Sequence, residues 1–351
     1  MTSPPSAPTS TSAALAAAAR DTSVRVAFGI AFIRRWAIFL LLAAMIAGFT
    51  LAEPAFLDIA NLMSILQAVS VVAILGTGIT VSLTVAGFDL SIGAVAASGV
   101  MAASYVMVVW NFGATAAVLA VLAFGVAVGL ANAFLIVRIK VPDLLATLAV
   151  MFLLTGLQLI PTAGRSIASG LILPDGSSAP GSYDPVFLLI GRGRLGGVVP
   201  IPVILMAGVA VFFHVLTERT RLGRLFFATG GNETAARLAG AATARIKVLA
   251  YVISGGLAAL GGIVVAARVG RGDVSSGSSL LLDAFAASLI GFAVLDARRP
   301  NVLGTIVGAI FVGVLLNGLT MLNAPYYTQD FVKGVVLVGA LALTYGLGRR
   351  A

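Results

Sequence analysis

The 351-residue chain has no cysteine, a single histidine, His214, and two tryptophans, and only 10% of its residues are charged. Lack of cysteine excludes disulfides, thiolate metal sites and thiol nucleophiles, and one histidine leaves metal or acid–base chemistry little to work with. His214 lies in an apolar run, where a lone polar side chain near a span end is a simpler reading than a ligand. No GxxxxGK(S/T) phosphate loop occurs, so the chain does not bind and hydrolyse ATP by that route. No basic run is interleaved with aromatics either. The net charge of +9 is spread between apolar segments, which argues against a nucleic-acid partner and for a topological role.

What is present is apolar. With 60% hydrophobic residues, a water-soluble fold of this length could not hide its surface, so the chain reads as an all-α polytopic membrane protein. Segments of about 20 apolar residues place about ten spans, near 36–52, 60–86, 90–110, 114–137, 143–161, 199–216, 247–267, 281–296, 302–322 and 330–347. The first, after Arg34 and Arg35, resembles a secretory signal with Thr50-Leu51-Ala52 as a poor cleavage site; a retained first helix fits the later spans better. Residues 1–33 read as a disordered or interfacial tail and 34–351 as the membrane domain, with 162–198 outside and 217–247 inside. Starting from a cytoplasmic N-terminus, only Arg165, Arg192, Arg194, Arg268, Arg271 and Lys333 of the 22 cations fall outside, the bias expected for ten spans with both termini in the cytoplasm.

Polar groups interrupt this pattern in a few places. In GFDLSIG, Gly87 to Gly93, a carboxylate enters an apolar stretch, at a cost of roughly 2.5–3.5 kcal/mol at mid-bilayer. Glycine lets the chain break there, and Asp89 or Ser91 can cap the helix that follows; the alternative is a direct role for Asp89 and Ser91 in a transport path. Asp283 opens LDAFAASLIG, whose Ala-Ala-Ser echoes Ala96-Ala97-Ser98. If spans one to five and six to ten are inverted repeats, Asp89 would begin the third and Asp283 the eighth. Asn132, Gln158, Asn317 and Asn323 add amides that either pack helices or meet a polyhydroxylated ligand.

The longest polar island is TRLGRLFFATGGNETAARLAG, Thr220 to Gly240. Gly230 and Gly231 break the preceding helix, Asn232 caps a new one, Glu233 meets its positive end and Gly240 stops it. The residues alone allow a plain connecting helix or a docking knob for a soluble partner.

Taken in order, GFDLSIG, PDLLATLAVMFLLTGL (Pro142 to Leu157), TRLGR with ATGGNETAARLAG, LDAFAAS and GTIVGA (Gly304 to Ala309) resemble the permease subunits of bacterial ATP-binding-cassette (ABC) importers for ribose and related monosaccharides, from about Asn61 to Tyr345. The resemblance implies a homo- or heterodimeric pore in the inner membrane, cytoplasmic ATPase subunits that bind ATP and Mg, a periplasmic sugar-binding protein, and no cofactor or catalysis in this chain. It makes Asn232 to Gly240 the coupling helix, with Gly231, Asn232, Glu233, Ala235, Ala236, Arg237, Leu238 and Gly240 as the ATPase contact. The chain departs from the family at GFAVLDARRPN, Gly291 to Asn301, where a glycine-rich run is common and only Gly291 and Leu295 remain. A carrier driven by an ion gradient, with Asp89 and Asp283 as coupling carboxylates, is the alternative; an intramembrane enzyme has too little chemistry.

Overall fold

The computed structural model describes residues 36, 38–173, 175–275, 277–293 and 299–346. The expected tail (1–33), Arg34, Arg35, Leu295, Asp296, Arg298, Arg349 and Arg350 lie outside them. The fold is overwhelmingly helical. In chain order come α1 (Ile38–Ala52), α2 (Ile59–Thr84), α3 (Ile92–Ser104, extended by a wide turn Tyr105–Val109), α4 (Ala114–Ala133, extended by Phe134–Ile139) and α5 (Asp143–Leu157). Then follow α6 (Pro185–Arg192), a two-residue hairpin of β1 (Arg194–Leu195) and β2 (Val199–Pro200), α7 (Ile201–Arg219), α8 (Arg221–Gly231) and α9 (Glu233–Leu238). The chain closes with α10 (Thr243–Val269), α11 (Gly277–Ala293), α12 (Val302–Met321) and α13 (Tyr326–Gly346). Among the described residues, seven helices are long and apolar enough to cross a membrane, and α1 and the core of α11 are shorter apolar helices.

Breaks between spans are made by residues that the composition does not advertise. Ala86, Asn111, Lys140, Ala163 and Asn323 all take left-handed backbone angles, φ +51° to +70°, and close α2, α3, α4, α5 and α12 respectively. Asparagine tolerates this region, whereas alanine and lysine accept about 1–2 kcal/mol of strain to turn the chain. Gly87, expected to provide the freedom for the first break, serves another purpose: a Cβ there would sit 2.6 Å from the Tyr251 hydroxyl oxygen. It is small so that α10 can approach.

Helices α2 and α10 form the centre. α10 packs on α2, α3 and α4, and α2 packs on α10, α11 and α12. The α4–α10 seam is backbone to backbone: a Cβ on Gly125 would strike the Gly255 carbonyl, and one on Gly255 the Gly125 carbonyl. Small residues at such seams let helices without a hydrophobic drive between them gain dispersion contact instead.

Outside the long spans, two side chains tie down the connection between α5 and α7. Asp184 caps two helices at once, its Oδ1 accepting from the Val186 amide of α6 at 2.8 Å and its Oδ2 from the Ala114 amide of α4 at 2.9 Å. These bonds hold its carboxyl below the usual carboxylate range. Arg192 donates to the carbonyls of Arg268 and Val269, satisfying the end of α10. Within 162–198, read from sequence as one loop, α6 forms because Asp184-Pro185 is a cap followed by a first-turn proline.

Candidate functional site

The polar island folds as two helices, α8 and α9. Thr220 caps α8, its Oγ1 accepting from the Gly223 amide at 3.2 Å, and α8 runs through Gly230 to Gly231. The two glycines end that helix, as the sequence suggested, and Gly230 brings α8 against the backbone of Thr84 and Ala86. Asn232 then works twice: its amide donates to the Ala228 carbonyl to close α8, and its Oδ1 accepts from the Ala235 amide at 2.9 Å to open α9. Gly240, at φ +89°, turns the chain away, with its amide on the Arg237 carbonyl and that of Ala241 on Ala236.

α9 has an inward and an outward side. Ala236 is buried, whereas Ala235, Arg237 and Leu238 are exposed, Leu238 at 83%. Glu233 reaches back to α10, where Lys247 Nζ donates to its Oε2 at 2.6 Å. That hydrogen bond and the lysine's charge hold the Glu233 carboxyl below its ordinary value of 4.5 against a partial desolvation. A depressed acid stabilises the folded loop above its ordinary range, and the contribution is lost only as pH falls through the depressed value. A nitroxide at Ala235→Cys is therefore expected to keep its mobility between pH 7 and 5 and loosen only in stronger acid; loosening already between 7 and 6 would contradict it. The pair is partly exposed, so Lys247→Met should cost under about 1 kcal/mol.

Lys247 begins a stripe along α10. Tyr251 and Ser254 follow at i+4 and i+7, the spacing that stacks side chains on one helix face. Ser254 Oγ donates to Asp89 Oδ2 at 2.6 Å, Ser91 donates to Asp89 Oδ1 from both its amide (3.0 Å) and its hydroxyl (2.6 Å), and Asn132 Nδ2 donates to Ser91 Oγ at 2.8 Å. From α5, Asp143 Oδ2 accepts from the Phe88 amide, while Thr147 Oγ1 accepts from the Leu90 amide. The Gly87–Ser91 break is thus pinned by α4, α5 and α10 together. Asp89 is 1% exposed, with both oxygens occupied. Ser91 stands at the start of α3 without a capping side-chain bond of its own; the expected cap is replaced by the turn in which Asp89 accepts from Ser91.

The other sequence-predicted residues fall elsewhere. Asp283 on α11 pairs with Lys333 of α13 at 3.0 Å, and Lys333 also meets Asp330 at 2.7 Å. Asn317 and Asn61 exchange reciprocal amide bonds at 3.0 and 3.2 Å, stapling α12 to α2. Gln158 ends α5 between two cavities, of about 400 and 490 Å³, and its Oε1 is buried without a partner. At the end of the departing segment 291–301, Arg299 bonds Glu218 of α7 at 2.7 Å and lies 4.8 Å above the Phe227 ring of α8. Lys247, Tyr251, Ser254 and Lys333 escaped the sequence reading. The α10 spacing was available as a signal, whereas nothing local links Lys333 to Asp283.

Residues 61–341 match the family described as the permease component of branched-chain amino acid transport systems. The chain belongs to this permease family. It is similar to the ribose import permease proteins RbsC of Escherichia coli strain K12 (36% identical over 301 residues, 86% of this chain and 90% of the relative) and Haemophilus influenzae (35% over 310 residues, 88% and 92%). It is also similar to the autoinducer 2 import system permease protein LsrC of Salmonella paratyphi B (32% over 291 residues, 82% and 79%). No solved structure matches. The chain is accordingly an integral membrane permease of a transport system.

Proposed function

We propose that the chain is the membrane-spanning subunit of an ABC importer for a monosaccharide or a similar neutral, hydroxyl-rich solute. The relatives import ribose and autoinducer 2, while the family description names branched-chain amino acids. The observation that supports a neutral ligand is that Asp89 and Asp283 are already bonded, Asp89 to hydroxyls and Asp283 to Lys333. A zwitterionic amino acid carries charges of both signs, and the ion-driven alternative would couple through these two carboxylates, both of which are already engaged. Hydroxyl and amide groups suffice for a sugar.

Ten spans arranged as a 5+5 inverted repeat are part of this reading, with α1–α5 forming one half and α7, α10, α11, α12 and α13 the other. Exchanging α2 with α10, α3 with α11, α4 with α12 and α5 with α13 turns the contacts of α10 with α3 and α4 into those of α2 with α11 and α12. The same exchange maps α3–α4 onto α11–α12 and α3–α5 onto α11–α13. The cation bias then puts both termini and 217–247 in the cytoplasm and 162–198 in the periplasm.

In this orientation the outward side of α9 meets a separate ATPase, which binds ATP and Mg and supplies the power. A periplasmic sugar-binding protein delivers the solute, and a second permease copy in the lipid bilayer completes the pore. Closure of the ATPase pair pushes α9; Glu233–Lys247 passes the push to α10, and the Lys247–Tyr251–Ser254 stripe carries it to the Asp89 break at the start of α3. Asp89, Ser91 and Asn132 are the anchor of this relay, and alternating access follows from rigid-body movement of the helices they join.

The test is uptake by proteoliposomes holding the chain with its ATPase and binding protein. ATP-dependent uptake of labelled ribose or another monosaccharide, not competed by leucine, is expected. Leucine uptake, or sugar uptake without ATP and the ATPase, would reject the reading.

A further inference from the structure

Two cavities meet at Gln158. The outer one, about 400 Å³, lies between the outer ends of α3, α4 and α5 and is lined by Ser98, Tyr105, Trp110 and Gln158. The deeper one, about 490 Å³, lies between α3, α5 and the start of α11 and shares Gln158 with the first. Both volumes fall in the range of small-molecule sites, roughly 300–1,000 Å³, which are mostly apolar with a few placed polar groups.

The polar groups here are unspent. Ser98 is 7% exposed and its Oγ has no partner; the Gln158 Oε1 is likewise buried without one. Buried polar atoms of this kind are costly unless something bonds them. Asn132 Oδ1, Thr229 Oγ1 and the Tyr251 hydroxyl are also buried without partners, but of these five orphaned atoms among the described residues only Ser98 Oγ and Gln158 Oε1 line these two cavities, and Gln158 lines both. Next to the orphaned atoms stand two aromatic faces, Tyr105 and Trp110, set edge to face with centroids 5.2 Å apart. Rings of this sort take the C–H face of a sugar while hydroxyl and amide groups take its edge.

We propose that these cavities are successive stations of the sugar path, with Ser98, Tyr105 and Trp110 receiving the solute from outside and Gln158 contacting it in both. The inference rests on the importer reading and adds where the solute is held. The substrate contacts are then separate from the Asp89 anchor.

The test uses the native absence of cysteine in the full chain, reconstituted with its ATPase and binding protein. The parent is first scored with ribose, xylose, arabinose, glucose and galactose; if it carries none, the sugar reading falls and this proposal with it. With the sugar it carries, Gln158→Leu is expected to lower uptake at least about tenfold while ATP hydrolysis stimulated by the binding protein persists. Gln158→Asn should recover part of the uptake, a rescue that a packing role alone would not give. Gln158→Cys should react with a charged, membrane-impermeant methanethiosulfonate added outside, react at least about threefold more slowly when sugar is present, and lose uptake once modified. Reactivity no greater than that of Val211→Cys, on the exposed side of α7, would mean the space holds lipid tails, and full uptake after modification would place the cavities off the path; either result overturns the proposal.

Discussion

Leu238→Glu is expected to leave a folded, inserted permease that no longer takes up sugar. Leu238 is 83% exposed on a six-residue helix whose other outward groups are Thr234, Ala235 and Arg237. A large apolar side chain at that exposure makes little contact with its own chain. Removing it costs the isolated permease almost nothing, whereas burying it in a partner contributes about 1.5–3 kcal/mol. A charge in its place adds the desolvation of an unpaired carboxylate. ATPase affinity should therefore fall by about tenfold to a hundredfold or more, with uptake following it, while the melting profile of the purified permease stays at the parental value. Wild-type ATPase binding by Leu238→Glu would remove α9 as the contact.

Ala236 makes a poorer probe of the same contact. It faces inward and is 7% exposed, so a bulky charge there would first disrupt the packing of α9 on its own loop. Lost uptake in Ala236→Arg would not separate docking from folding. Arg237, outward beside Leu238, is a rim charge whose loss should chiefly alter salt dependence and association rate.

Where residues speak for their own neighbourhood, the sequence was legible. Long apolar runs announced the spans, and Asn232 with Gly240 announced α9, because capping depends on residues within one turn. Two features were misread for physical reasons. Gly87 was credited with the chain break because glycine tolerates left-handed angles; the left-handed residue is Ala86, and Gly87 is required by the approach of Tyr251, a contact 164 residues away in sequence. Ser91 was read as a possible cap for α3, but its amide and hydroxyl both donate to Asp89 Oδ1, so no side-chain cap forms there. The distant partners, Ser254 of Asp89 and Lys333 of Asp283, were not legible because they come from other helices, and one sequence holds no record of such pairing.

Lys333→Met is expected to be far more damaging than Asp283→Leu, and the double variant milder than Lys333→Met alone. Lys333 sits between two carboxylates: Asp283, whose side chain is 12% exposed, and Asp330, 79% exposed. Loss of Asp283 leaves the ammonium with Asp330 still at 2.7 Å, whereas loss of Lys333 strands Asp283 beside α13 without its cation. Breaking a buried pair in that way costs about 3–5 kcal/mol, while replacing both members by apolar groups is often neutral. The yield of monodisperse protein and its thermal midpoint should fall sharply in Lys333→Met and return toward the parental values in Asp283→Leu/Lys333→Met. Equal damage from the two single variants would mean that Asp330 does not hold the lysine. Function carries a second reading of the same cycle, because a carrier driven by an ion gradient through Asp283 cannot survive its replacement by leucine. ATP-dependent sugar uptake retained by the double variant would confine this ion pair to holding α11 against α13 and leave the driving force with the ATPase.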